Sequence, residues 1–281
     1  MPQSSFHMRI VDSAMEYLSV QSASAVLPLQ EPSWSDEVPA SLKRRDPRIW
    51  QMAYVASLRV MTNLPVKPNA IMVATALGAL DETKNFLDGV FTDGLGSPRN
   101  FIASVHNSMA GKLAQEFKVA GPNLTLCDGH NSLASAIGAC ALLQSGDFPA
   151  LVVAVDENIE LLDRLIPHLS PGCKQALGNN KQEGAVAFML HNKNGNQGPR
   201  IRSVGPLFIG DKGPDAACST LLQSQDPSDQ TSVSLPSKTA GSFLSVSVAV
   251  HDVFRGSIAG RYALCSFSPS SKAIAIVEVC Q

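Results

Sequence analysis

The sequence predicts an α/β fold built on a largely parallel sheet, and three observations support this prediction. Short apolar runs alternate with helical patterns along the first two-thirds of the 281 residues, as in strand-helix-strand units. Hydrophobic residues make up 44% of the chain, which supplies a sizeable core. The mean hydropathy of +0.06 is that of a folded protein and not of a disordered one.

The elements follow in order along the chain. Asp46-Pro47 begins a helix, because an aspartate N-cap followed by proline fits the first turn. Apolar residues recur behind it at helical spacing: Ile49, Met52, Ala53, Ala56 and Val60. Further helices are predicted from Asp81 through Leu87 and over Ser132–Gln144. The predicted strands are Ala70–Thr75, Leu124–Cys127, Leu151–Val155, Ala185–Leu190 and a fifth in two parts, Ile201–Val204 with Leu207–Ile209.

The C-terminal part is organised differently. Gln223–Lys238 is dominated by Ser, Asp, Gln and Pro, which predicts a polar loop. Tyr262–Phe267 and Ala273–Val279 are strand candidates on either side of a short polar turn, and together they predict a hairpin. We therefore expect one domain over residues 1–281, with residues 239–281 forming a closing helix and strands.

Composition excludes several function classes. A net charge of -2 without a long basic run argues against a nucleic-acid partner, and no apolar run is long enough for a membrane span. Charged residues are only 16%, which predicts an oligomer, and without a signal-peptide pattern we expect a cytoplasmic protein. No metal or cofactor motif is present, so no cofactor is expected. The widely spaced cysteines predict reduced, mostly buried thiols: Cys127, Cys140, Cys173, Cys218, Cys265 and Cys280.

The segment Leu124–Gln144 is the candidate site. A side chain in a turn between a strand and a helix projects from the sheet edge at the positive end of the helix dipole. A cysteine there would be an activated nucleophile with backbone N–H groups at hand for an oxyanion. This chain has His130 in that turn.

A longer motif precedes this turn. Gly96–Gly111 reads GSPRNFIASVHNSMAG and closely resembles the S-P-x-x-F…S-V-H-N-x-x-A-G signature of a β-ketoacyl-synthase-like N-terminal family. The resemblance is best over residues 43–190. Its motif residues here are Ser104, Val105, His106, Asn107, Gly111, Gly121 and Pro122.

The resemblance implies a thiolase-like, ketosynthase-type layered α/β/α fold, truncated in its C-terminal half. It also implies a cysteine nucleophile and two histidines, one of them in an H-G-T-G-T motif. None of the six histidines here is followed by Gly-Thr, and His130 occupies the nucleophile position. Ser266-Phe267-Ser268-Pro269 stands where such enzymes have a G-F-G-G turn. The chain therefore resembles a catalytically inactive ketosynthase partner.

Inactive ketosynthase-like subunits are similar to the chain length factors of type II polyketide, aryl-polyene and fatty-acid-like systems. The resemblance implies a heterodimer or heterotetramer with an active ketosynthase, and acyl carrier protein as an indirect partner. Carried over by position, the subunits would pair through Asn123, Leu124, Thr125, Leu126 and Cys127. Asn100, Phe101 and Ile102 would line the partner's acyl tunnel.

Two other functions stay open at this stage. One is a thiolase-fold acyltransferase or hydrolase that uses His130, His106 or Cys127; the other is a structural stabiliser without influence on chain length. For Cys127 we expect a buried small apolar side chain, and for His106 and Asn107 a role in holding the loop near the dimer interface. Asp156-Glu157 is expected to be a strand-end loop and cap, followed by a solvated helix face with Glu160 and Asp163.

Overall fold

A computed structural model of the chain describes residues 18–62, 64–169, 183–192, 199–208, 232–234, 244–255, 261–268 and 273–280. Its strands are β1 (Leu18–Val26), β2 (Ala70–Ala74), β3 (Asn123–Leu126), β4 (Ala150–Asp156), β5 (Gly184–His191), β6 (Arg200–Phe208), β7 (Ser232–Ser234), β8 (Arg261–Ser268) and β9 (Ala273–Cys280). They form a nine-stranded sheet in the order β3-β2-β4-β5-β1-β6-β9-β8-β7.

The sheet is mixed, so the prediction of a largely parallel sheet is wrong. β2 runs parallel to β3 and β4, and β7 runs parallel to β8. β5 is antiparallel to β4 and β1, and β9 is antiparallel to β6 and β8. β6 is also antiparallel to β1. Strands that are buried on both faces have the same continuous apolar pattern in either direction, so the sequence pattern does not give the direction.

The helices pack on both faces of this sheet. They are α1 (Ala40–Arg45), α2 (Arg48–Thr62), α3 (Leu80–Asp93), α4 (Pro98–Ser104), α5 (Asn107–Phe117), α6 (Ser132–Cys140), α7 (Glu160–Leu165) and α8 (Leu244–Arg255). Short 3₁₀ segments cover Pro32–Glu37, Gly129–Asn131, Ser145–Asp147 and Ile166–His168. Among the described residues, no helix is long and apolar enough to cross a membrane.

Alternate residues of the central strands divide the core in two. Met72 on β2 and Val152 on β4 pack with α6 and α8 on one face. Ile71 and Val153, one position along, pack with α2 and α5 on the other. Successive side chains of a strand point to opposite faces, so the apolar runs have no polar side. The result is a helix layer, a sheet and a second helix layer.

Most predicted elements are confirmed, with shifted ends. The helix predicted over Ser132–Gln144 ends at Cys140, because the next residues form hydrogen bonds of the tighter i to i+3 kind. The helix predicted through Leu87 extends to Asp93, and Gly94 then ends it with a left-handed φ of 69°. The two-part fifth strand is one strand, β6, with an irregularity between Val204 and Leu207.

The predicted closing hairpin is confirmed, whereas the predicted polar loop contains a short strand. β8 and β9 pair as an antiparallel hairpin with Tyr262 opposite Val279. Of the loop predicted over Gln223–Lys238, residues 232–234 form β7 at the edge of the sheet, and the remainder lies outside the described residues.

Candidate functional site

The candidate site is the turn that joins β3 to α6. His130 lies in the 3₁₀ segment Gly129–Asn131, directly before α6, and is half-buried. The Ser132 hydroxyl accepts the Asp128 N–H at 2.8 Å and donates to the Thr75 carbonyl at 2.8 Å. Ser135 donates to the Asp128 carboxylate at 2.9 Å. Local hydrogen bonds thus fix the backbone on both sides of His130.

The closing hairpin reaches this turn from the other end of the chain. The side chain of Asn131, which is fully buried, accepts a hydrogen bond of 2.7 Å from the Ser266 hydroxyl of β8. The Ser266 Oγ also lies 3.4 Å from the Ala275 carbonyl. Ser266 belongs to the Ser-Phe-Ser-Pro segment that the resemblance placed beside the active site, and its contact with the neighbour of His130 brings the two segments together.

A buried carboxylate fixes the adjacent turn after β2. Asp156, at the end of β4, accepts hydrogen bonds from the Thr75 hydroxyl at 2.6 Å, the Ala76 N–H at 3.0 Å and the Leu77 N–H at 3.2 Å. Burial raises the pKa of Asp156 to about 6, although these three donors oppose the shift. The carboxylate ties the ends of the parallel strands β2 and β4 together.

The expectation of a strand-end loop and cap at Asp156-Glu157 is therefore confirmed only in part, because the loop begins at Glu157. Asp156 is still part of β4, and both residues are buried. Sequence reasoning missed them because charged residues after a strand are usually solvated. Glu160 and Asp163 are exposed, as predicted.

Glu157 has an unusual environment. The Ile49 backbone N–H donates to it, but its Oε1 atom is buried without a hydrogen-bond partner among the residues that the structure describes. Burial raises the pKa of Glu157 to about 8, and the negative charges of Asp81, Glu82 and Glu183 add to the shift. Glu157 is therefore mainly protonated at neutral pH.

Cys127 is exposed, so the prediction of a buried apolar side chain is wrong. It follows β3 at the sheet edge, where the residues that the structure describes leave it uncovered. Its Sγ atom donates to the Ala76 carbonyl at 3.4 Å. Desolvation of the thiol at that contact, with the negative charges of Asp156 and Asp128, raises its pKa, so the thiolate is disfavoured. Cys140, by contrast, is buried as predicted, and burial raises its pKa to about 12.

His106 and Asn107 lie at the start of α5. The His106 ring packs on Gly78, where a Cβ atom would lie 2.5 Å from its Nε2 atom, and Gly78 has a φ of 64°. The Asn107 side chain donates to the Asn123 side chain at 3.3 Å, which links α5 to β3. His106 thus packs on the turn after β2 and Asn107 bonds a side chain of β3, while their predicted role near a dimer interface stays a prediction.

β3 and α4 present the remaining predicted residues. β3 is an edge strand that pairs with β2 on one side, and Leu124 on it is 48% exposed. The Thr125 hydroxyl is buried without a hydrogen-bond partner in the described part of the chain. On α4, Phe101 is 54% exposed and Ile102 60% exposed, whereas Asn100 is half-buried.

The site as described contains no thiol in the turn itself and no group of three or more His, Cys, Asp or Glu residues suited to a metal ion, within the ranges that the structure covers. The described turn carries the imidazole of His130, and the residue that follows β3, Cys127, has a thiol whose protonated form is favoured.

The sequence profile of the β-ketoacyl synthase N-terminal domain matches residues 19–198, well over half of the chain. The chain belongs to this family. Its match begins earlier and ends later than the segment 43–190 that the motifs singled out. Comparison with curated proteins finds no sequence match.

This β-ketoacyl synthase family member has the thiolase-like ketosynthase fold, and solved structures agree with that. The ketosynthase ApeO in complex with its chain length factor ApeC from Xenorhabdus doucetiae superposes with a TM-score of 0.62 at 17% identity, over 94% of this chain and 99% of the other. The ishigamide ketosynthase/chain length factor has a TM-score of 0.72 at 15% identity, over 94% of this chain and 99% of the other. AntDE:AntF, a type II polyketide synthase acyl-carrier protein with its ketosynthase bound to the hexaketide, gives 0.72 at 12% identity, also over 94% and 99%.

Proposed function

We propose that the chain is a non-catalytic, chain-length-factor-like subunit that pairs with an active β-ketoacyl synthase and shapes its acyl tunnel in polyketide or polyene synthesis. The observation that carries this proposal is the turn between β3 and α6. It is held by the contacts of Asp128, Asn131 and Ser132, yet it presents His130 in place of a cysteine.

The chemistry of the turn supports a chain that does not catalyse condensation by itself. A ketosynthase holds its growing chain as a thioester, which requires a thiolate at the turn. The nearest thiol in sequence, Cys127, has a raised pKa and donates to the Ala76 carbonyl. An acyl group on the imidazole of His130 would be a poor store, because acyl-imidazoles hydrolyse readily.

The edge strand supports the pairing. Among the described strands, β3 has a neighbour on one side only, and an open edge offers backbone N–H and C=O groups to another strand. Leu124 is an apolar side chain on that edge, and the hydroxyl of Thr125 has no partner among the described residues. A partner strand would cover Leu124 and bring polar groups near Thr125.

The first experiment separates a subunit from an enzyme. The chain, a ketosynthase with an intact cysteine and two histidines from the same biosynthetic system, and their co-expressed complex are each supplied with malonyl-loaded acyl carrier protein. We expect the two chains to co-purify, the complex to make the product, and the chain alone to make none. His130→Ala in the complex is expected to leave turnover unchanged. Turnover by the chain alone that His130→Ala abolishes would establish the acyltransferase alternative instead.

The second experiment tests the interface. Leu124→Arg introduces a charge at the middle of the proposed pairing strand, and Leu142→Arg is its matched control, because Leu142 is 87% exposed beyond the end of α6. We expect Leu124→Arg to weaken the complex at least about tenfold, or about 1.4 kcal/mol, and Leu142→Arg to have no effect. Equal affinities of both variants would exclude pairing through β3.

The third experiment separates a chain-length role from simple stabilisation. Phe101→Ala removes a large side chain from the surface that the proposal places at the tunnel. We expect the complex to assemble and its products to become longer. An assembled complex with unchanged product length would leave the chain as a structural stabiliser only.

A further inference from the structure

Helices α3 and α4 form a tight hairpin that carries Phe101. α3 ends at Gly94 in a left-handed conformation, and the Ser97 side chain accepts the Asn100 N–H at 3.5 Å to cap α4. No residue of α3 is buried, so the hairpin lies on the outside of the molecule. Two side chains tie α4 to its surroundings: the Arg99 guanidinium donates to the Arg45 carbonyl, and the Ser108 hydroxyl donates to the Ile102 carbonyl at 2.6 Å.

One aromatic contact supports the Phe101 side chain. The rings of Phe86 on α3 and Phe101 on α4 lie 5.3 Å apart between centroids and are inclined by 52°. Phe86 is half-buried, whereas Phe101 is 54% exposed. Phe86 therefore bounds one side of the Phe101 ring and leaves its other side open. Tilted aromatic pairs at this separation have a preferred geometry, so Phe86 restricts the positions that the Phe101 ring adopts.

The place of Phe86 is itself set by a glycine. A Cβ atom on Gly96 would lie 2.3 Å from Cε2 of Phe86 and 2.8 Å from Cγ2 of Val90. Only a residue without a side chain leaves Phe86 this space. Gly89 on α3 faces the same loop, where its Cβ atom would lie 3.3 Å from the Leu95 carbonyl oxygen. The two glycines allow α3 and the loop to approach until Phe86 meets Phe101.

We propose that Phe86 is a positioning residue for chain length: seated over Gly96, it holds the Phe101 ring at the tunnel of the partner ketosynthase. This inference rests on the proposed function, and adds a residue that does not itself contact the growing chain. Removal of Phe86 gives the Phe101 ring room to withdraw, so the tunnel accepts longer chains even though Phe101 is still present.

The test uses the assembled complex with malonyl-loaded acyl carrier protein and mass spectrometry of the products. Phe86→Ala is expected to raise the ratio of longer to shorter products about two- to tenfold, the range that an aromatic pair contributes, in the same direction as Phe101→Ala. Phe86→Tyr, which keeps the ring, is expected to restore the original distribution. Gly96→Ala, which displaces Phe86, is expected to lengthen the products as well. Phe91→Ala on the same helix is the control, because Phe91 is 82% exposed and one turn or more away.

The double variant Phe86→Ala with Phe101→Ala distinguishes positioning from a direct contact. If Phe86 acts through Phe101, the double variant gives the same products as Phe101→Ala alone. If Phe101→Ala lengthens products and both Phe86→Ala and Gly96→Ala leave them unchanged, this inference is wrong while the proposed function stands. If Phe101→Ala also has no effect in an assembled complex, both are wrong. Phe86→Leu, which keeps most of the apolar volume, replaces Phe86→Ala should that variant fail to assemble.

Discussion

The turns after β2 and β3 and the α3–α4 hairpin are built in opposite ways. In the turns, buried polar groups such as Asp156, Asn131 and Ser132 are joined by short hydrogen bonds. In the hairpin, no residue of α3 is buried and apolar side chains such as Phe91 and Phe101 are exposed. Buried hydrogen-bonded groups are costly to disturb, whereas exposed apolar groups invite a partner. The turns therefore maintain the fold, and the hairpin is suited to contact with another chain.

This difference can be tested by substitutions on either side. Changes in the turns are expected to alter the free energy of unfolding and leave product length alone, because the proposed function requires no thiolate chemistry at them. Changes in the hairpin are expected to have small effects on stability and larger effects on the product. A variant that moves both quantities to the same extent would show that the two regions are not separate in function.

The largest effect is expected where the regions meet, at Glu157. Its pKa is raised from 4.5 in the unfolded chain to about 8 in the folded one, so the folded state binds more protons between these values. Stability is therefore highest below about pH 4.5 and falls as the pH rises to about 8. Glu157→Gln removes this dependence. We expect its gain in the free energy of unfolding over the wild type to be up to about 4 kcal/mol larger at pH 9 than at pH 5, at about 1.4 kcal/mol per pKa unit.

Urea unfolding of the wild type and Glu157→Gln from pH 5 to pH 9 measures this effect. Glu160→Gln is the control, because Glu160 is exposed three residues further along the chain. If the difference in the free energy of unfolding between the wild type and Glu157→Gln stays constant with pH, the carboxyl is ionised throughout. That result would contradict the environment of Glu157 beside Asp81 and Glu82.

Asp156→Ala has the next largest expected effect. It leaves the Thr75 hydroxyl and the N–H groups of Ala76 and Leu77 without their acceptor, and each buried unpaired donor costs about 1–3 kcal/mol. Loss of the buried carboxylate offsets part of this cost, so we expect a net destabilisation of about 3 kcal/mol at pH 7.5. Asp156→Asn keeps one acceptor oxygen, so its free energy of unfolding is expected to fall by less. Equal stability of Asp156→Ala and the wild type in urea would show that the hydrogen bonds of Asp156 do not stabilise the ends of β2 and β4.

Much of the fold could be predicted from the sequence because the central strands are short apolar runs with helices between them. The buried face of α2 was identified residue by residue, since Ile49, Met52 and Val60 follow one helical stripe. The direction of β5 could not be predicted in this way. A strand covered on both faces reads the same in either direction, and direction depends on how the connection returns to the sheet.

In the candidate site too, local features could be predicted from the sequence and long-range contacts could not. His130 and its neighbours were found because a turn between a strand and a helix is a local feature of the chain. The contacts of Asp156 with Thr75 and of Ser266 with Asn131 join residues far apart in sequence, and no local pattern indicates them. Cys127 was assigned to the interior because cysteines are usually buried, but its place beyond an edge strand exposes it.

Ser266→Ala tests that long-range contact. The substitution removes the 2.7 Å hydrogen bond to the buried Asn131 side chain, which is expected to cost about 1–2 kcal/mol. Ser145→Ala is a control on a 3₁₀ segment whose residues are not buried. Urea unfolding measures both, and product analysis of the complex should give unchanged lengths. A product shift with Ser266→Ala would instead connect the closing hairpin to the tunnel.

The smallest stability effect is expected in the hairpin, for Ser97→Ala. The Ser97 side chain caps α4 by accepting the Asn100 N–H at 3.5 Å, a long contact, so its loss should cost no more than about 1 kcal/mol. This cap sets the start of the helix that carries Phe101, so we expect Ser97→Ala to change product length in the complex. Ser266→Ala is expected to lower the free energy of unfolding more and to leave product length unchanged. Ser145→Ala, on a segment away from α4 whose residues are not buried, is again the control. If Ser97→Ala destabilises the chain more than Ser266→Ala and leaves the products unaltered, the hairpin is part of the stability core and the contrast between the two regions is incorrect.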